Sequence, residues 1–221
     1  MRAALALLLA AAPAAAQEFV PLDAAPDDDA FYRGVACAAP PGGPCAKPFL
    51  HWPEARRAPL TVGLVSATPN LDATAQGRFD TALDAAIAEI NAVGAGIALA
   101  RDDADPDVAI HVVPTPPDHV IAGTGIAGLD GAHLQLGRVA LAARDGEIGE
   151  GLIAVSALMR PAEIGPVLLE EVTQSLGLMT DLRGPGLDAS VFGEDTNAVD
   201  RLSAQDAMAI RRHYPPRPEE G

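Results

Sequence analysis

The chain has 221 residues, with 15 basic against 30 acidic side chains, a net charge of -15 and a pI near 4.5. That length suits one domain with a substantial core. So acidic a chain repels phosphate backbones and anionic lipid surfaces, which argues against nucleic-acid and membrane binding.

The chain opens Met1-Arg2, runs apolar from Ala3 to Ala12, and reaches small residues at Ala14-Ala15-Ala16. A positive start, a short apolar run and an Ala-x-Ala site predict a secretory signal peptide over 1–16, cut before Gln17. The expected location is periplasmic or secreted. No later stretch approaches the roughly 18 uninterrupted apolar residues of a membrane-spanning helix. Residues 17–51 are rich in Pro, Asp and Gly and read as an irregular N-terminal arm. Cys37 and Cys45 are the only cysteines. In an exported chain they predict one disulfide that staples the loop between them, contributing at most about 2.5 kcal/mol. A redox or metal pair needs tighter spacing or further thiols.

Order is expected from 52 to 216, with 217–221 as a tail. Leu60 to Ser66 reads as a strand with Leu60, Val62 and Leu64 on one face. From Thr74 the period becomes helical: Phe79, Leu83, Ala86, Ile87 and Ile90 form a stripe that Gly94 closes. Strands are expected at 97–100 and 108–113, across an acidic turn, followed by a loop over 114–131. Further strand material lies in 133–143 and 152–158, joined by an Asp145-Gly146 turn. A second helix opens near Pro166 and stops at Gly177. A third starts at Ser203, whose hydroxyl can cap while Asp206 stands at the third helical position. Strands followed by gathered helices predict an α+β domain with a mixed sheet.

The second helix carries Glu170-Glu171-Val172-Thr173-Gln174-Ser175-Leu176-Gly177-Leu178-Met179-Thr180-Asp181. This segment resembles the H-E-x-x-H helix of zinc peptidases, in which two histidines four apart face one metal and the Glu activates its water. It is most similar to the metzincin branch, where a Gly turns the chain toward a third ligand. Glu170 stands in the first His position, Glu171 in the general-base position and Gln174 in the second His position. Gly177 keeps the turn, and Thr180 occupies the third ligand position. Ser190-Val191-Phe192 resembles the Ser-x-Met of the metzincin Met-turn, and Leu202-Ser203, Asp206, Ile210 and Tyr214 resemble the last helix of matrix metallopeptidases. The chain also resembles an uncharacterised bacterial family of exported proteins with the pattern Glu-Glu-x-Thr-Gln-x-Leu-Gly-Leu. The resemblance implies a zincin-like twisted sheet with one long helix packed on it, an active-site-type helix and a C-terminal helix.

An amide and a hydroxyl are poor zinc donors, so no metal or other cofactor is expected and Glu171 would be catalytic only in an active enzyme. The expected function is a non-catalytic binding or interaction module, with a peptide or protein ligand at a sheet edge. The alternative is a hydrolase or peptidase with an atypical ligand set using Glu170 and Glu171. Candidate cleft residues are Glu170, Gln174, Thr180, Asp181 and His133, the last approaching from a neighbouring strand. Asp181, Asp188, Glu194, Asp195 and Asp200 form an acidic segment that fits no EF-hand spacing and reads as solvated charge. Gly123-Thr124-Gly125-Ile126-Ala127-Gly128 spells a nucleotide-binding pattern in the wrong context, with a Pro-rich stretch before it and a strand after it.

Overall fold

The computed structural model describes residues 19–68, 71–195 and 198–216; the expected leader over 1–16 and the tail lie outside them. The elements, in order, are β1 (Phe19–Pro21), α1 (Asp28–Cys37), a 3-10 turn (Glu54–Arg56), β2 (Leu60–Ala67), α2 (Ala73–Ala92), β3 (Leu99–Arg101) and β4 (Val108–Val113). Then come β5 (His119–Val120), β6 (His133–Leu134), β7 (Gly137–Arg144), β8 (Glu147–Ser156), α3 (Ile164–Gln174), β9 (Asp181–Arg183) and α4 (Ala204–His213). This is an α+β domain on a five-stranded mixed sheet of order β3-β2-β4-β8-β7. The first four strands in that order run parallel, and β7 runs antiparallel to β8 at one edge.

Side-chain alternation divides the sheet into two faces. Val108, Ile110, Val112, Ile153 and Val155 enter the main core, which also takes the α2 stripe Phe79, Leu83, Ala86 and Ile90. Val113 and Ala154 belong to a smaller cluster with Ile121, Leu129 and Leu134, beneath the β5–β6 excursion. Helices α2 and α3 pack on each other and reach the sheet. α2 begins where the Asp72 carboxylate accepts from the Ala75 N–H at 2.8 Å, and α4 where Ser203 and Asp206 form a reciprocal capping box.

The expected irregular arm is corrected. Residues 19–37 carry a strand and a ten-residue helix built into the domain. The Asp27 carboxylate caps α1 by accepting from Ala30 N, and Phe31 and Val35, four apart, are fully buried. Phe31 meets the Phe192 ring edge-on at 6.0 Å, α1 packs on α4, and β1 pairs in parallel with β9. Polar composition concealed this helix because its apolar stripe is only two turns long. The Cys37–Cys45 disulfide is present just beyond it.

The expected 133–143 strand is two strands, broken at Gln135-Leu136. His133 therefore belongs to the small β5–β6 pair and is exposed. Strand β8 starts five residues before the expected Leu152. Its exposed Glu147, Gly149 and Glu150 blurred the alternation.

The candidate cleft between the edge strand and α3

Helix α3 is buried almost all round: Val167, Leu168, Leu169 and Val172 are at most 2% exposed. Each polar group on such a helix must find a partner. Thr173 Oγ1 donates to Leu169 O at 2.6 Å, and just beyond the helix Ser175 Oγ donates to Val172 O at 2.7 Å. Gln174 Nε2 donates to Asp181 Oδ1 at 2.8 Å. Glu171 is the exception. It is 5% exposed, and among the described residues its Oε2 has no hydrogen-bond partner. Opposite, Gly137 opens β7 against this carboxyl: a Cβ there would stand 2.6 Å from Glu171 Cγ. Only the absence of a side chain at 137 lets the carboxyl lie against the strand.

Glu171 and Glu170 line a cavity of about 230 Å³ between β7 and α3. Gly137, Arg138 and Val139 form one wall, while Gln174, Met179 and Asp181 continue the other. His133, Lys47 and Glu194 also border it. The structure thus brings together Glu170, Glu171, Gln174, Asp181 and His133 from the sequence prediction. Thr180 is not among the lining residues. It is 1% exposed, its hydroxyl accepts from Lys47 Nζ at 3.1 Å, and its N–H donates to Val35 O.

Charge is unevenly distributed here. Burial, then the neighbouring Glu171, Asp181 and Glu194, holds the Glu170 carboxyl well above the usual range. Burial and Asp181 push Glu171 up to about 8, against the opposing pull of Arg138. Among the described residues Arg138 does not complete an ion pair: its Nη1 donates to His133 O at 3.4 Å, and its Nε, like Glu171 Oε2, has no hydrogen-bond partner there. Glu194 and Asp195 each pair with Arg183 at 3.2 Å.

Lys47, Gly137, Arg138 and Met179 were missed as cleft residues. Lys47 is the sole lysine of the chain, but nothing in the sequence joins it to residues more than 120 positions away. Gly137-Arg138 opens a strand, a position where a glycine can signal close approach by another group.

The donor set does not fit zinc. Gln174 offers an amide in place of an imidazole, with its orientation fixed by its N–H donation to Asp181, and the Thr180 hydroxyl is committed to an ammonium group. Among the described residues no three His, Cys, Asp or Glu side chains are arranged to hold a metal, which includes the set Glu170, Glu171 and His133.

The motifs around the cleft have structural occupations. Gly177 has φ +100°, and a Cβ on it would overlap the Leu50 carbonyl. Asp206 is fully buried and accepts from Ser190 Oγ at 2.6 Å, Val191 N at 3.2 Å and Ser203 N at 2.8 Å, tying the Ser190–Phe192 turn to α4. Tyr214 Oη donates to Leu176 O at 2.6 Å and accepts from Trp52 N at 3.0 Å. His213 stacks on His51 at 4.0 Å, with Nε2 2.7 Å from Leu50 O. In the Gly123–Gly128 loop, the Thr124 and Gly125 N–H groups donate to the Asp130 carboxylate rather than standing open for a phosphate.

Fold and site together define an α+β domain with a carboxyl-lined cleft beside a sheet edge. The chain belongs to the family described as "protein of unknown function (DUF2927)", whose model matches residues 57–221. A comparison with curated proteins returns no match.

Proposed function

We propose that this is an exported, metzincin-like binding module that takes an extended peptide along the outer edge of β7 and performs no zinc hydrolysis. One observation carries the reading: the cavity runs beside an edge strand of the sheet, while two of the three residues at ligand positions are bonded within the protein. An edge strand offers backbone donors and acceptors for strand addition, and the adjoining cavity offers a place for a side chain. The metzincin-like reading is supported by the motif residues of 170–181, by the Gly177 turn and by the link from Ser190 to Asp206. Export, to periplasm or medium, is supported by the leader-like residues 1–16 and by the Cys37–Cys45 disulfide. Among the described residues no helix is long and apolar enough to cross a membrane.

Hydrogen exchange with and without peptides selected on the intact protein tests the reading. It predicts new protection over 137–144. Binding that leaves those amides unchanged would refute it.

A second reading is favoured by the state of Glu171, which keeps its proton near neutral pH beside a second carboxyl in the cavity. Such a group can serve as a general acid in metal-free hydrolysis. Its signature is turnover of a peptide or glycan panel that vanishes in Glu171→Ala; turnover that survives the substitution ends this reading.

A further inference from the structure

Among the described residues, four carboxyl groups, from Glu170, Glu171, Asp181 and Glu194, border the cavity, together with two permanent cations, Lys47 and Arg138. Both cations already make bonds elsewhere: Lys47 Nζ to the Thr180 hydroxyl, and Arg138 Nη1 to the His133 carbonyl. Asp181 is bonded to Gln174, and Glu194 to Arg183. The carboxyls that a bound cation would draw into the charged form are therefore Glu170 and Glu171, on the α3 wall, where burial holds the proton to a higher pH than usual. An acidic cluster alone is commonly solvated surface, but this one contains a side chain 95% removed from solvent whose Oε2 has no partner among the described residues. A buried acceptor without a donor is costly, and its persistence beside a cavity points to a ligand that brings the donor.

We propose that the cavity receives a cationic side chain, the guanidinium or ammonium group of an arginine or lysine in the bound peptide. The inference rests on the edge-strand reading and names the residue class that reading leaves open. A ligand cation supplies N–H donors to the Glu170 and Glu171 carboxyls and relieves the repulsion among the clustered carboxyls. At about 230 Å³ the cavity is smaller than the usual site for a whole drug-sized molecule and suits one long side chain. An anionic group would meet the carboxyl wall. A divalent metal lacks three suitably arranged ligands among the described residues. The acidity of the whole chain, at -15, steers cations toward it.

The test titrates the full chain with three probes: Nα-acetyl-L-arginine amide, the corresponding lysine amide, and the citrulline amide, which has the shape of arginine without its charge. Calorimetry or ligand-observed NMR should show arginine or lysine binding at least about tenfold tighter than citrulline, a margin of roughly 1.4 kcal/mol. Glu170→Gln combined with Glu171→Gln should erase the margin while the thermal melt shows a folded chain. Equal binding of citrulline, no binding of any probe, or a margin that survives the double substitution overturns the proposal. The edge reading fails separately. If neutral extended peptides protect 137–144 and the probes show no margin, the cation site is wrong and the edge site stands. If the probes show the margin and no peptide protects the strand, the cation site stands alone.

Discussion

Replacing Glu171 with glutamine keeps the side chain's shape and removes its titration. In the folded chain Glu171 retains its proton to about pH 8, against about 4.5 for the exposed group. Between those values the folded state holds one proton more than the unfolded state, so stability falls as pH rises, by about 1.4 kcal/mol per unit. His213 acts with the opposite sign. Burial, reinforced by His51, lowers its pKa to about 3 against 6.5 for the exposed ring, so stability falls as pH drops from 6.5 toward 3. From pH 4.5 to 6.5 these two slopes oppose each other. Above 6.5 the Glu171 slope stands alone among the two and contributes a loss of about 2 kcal/mol by pH 8. Glu170, raised in the same direction, deepens the loss. Urea denaturation of the native chain and Glu171→Gln across pH 4.5 to 8 measures the difference. The substitution should flatten most of the alkaline fall. An identical fall in both proteins would refute the claim that a carboxyl is buried without adequate compensation beside β7.

Gly137→Val should displace the Glu171 carboxyl, altering peptide or probe binding more than it alters the melt; unchanged affinity would show that the Gly137–Glu171 approach is incidental. Phe31→Ala should cost about 3–5 kcal/mol, because it empties a fully buried site between α1 and Phe192. A loss below 1 kcal/mol, roughly the scale of surface substitutions, would mean that the N-terminal segment is not part of the cooperative core. Tyr214→Phe should cost about 1–3 kcal/mol, leaving Trp52 N and Leu176 O without their shared hydroxyl, as measured by the shift in denaturant midpoint.

Much of this fold is legible where burial is one-sided and periodic. β4 falls on the expected residues Val108–Val113, and the Phe79–Ile90 stripe enters the core. The α4 cap was readable because Ser203 and Asp206 are local partners. What escaped depends on distance along the chain. Phe31 meets Phe192 and α1 packs on α4, both far along the chain, so the Asp- and Pro-rich surroundings suggested an arm where the chain builds a helix. The cleft divides the same way. Glu170, Glu171 and Gln174 share a helix with a recognisable pattern, whereas Lys47 and Arg138 reach it only through tertiary packing. Thr180, placed by motif at a ligand position, is turned into the protein by its bonds to Lys47 and Val35.

The central claim is that α3 presents an amide and two carboxyls to a cleft that binds without catalytic zinc. Metal analysis of the intact protein, purified without chelator and dialysed, tests it most directly. The account predicts zinc far below one equivalent per chain, with no gain on adding zinc and re-dialysing. One equivalent retained through dialysis and lost in Glu170→Gln would contradict it.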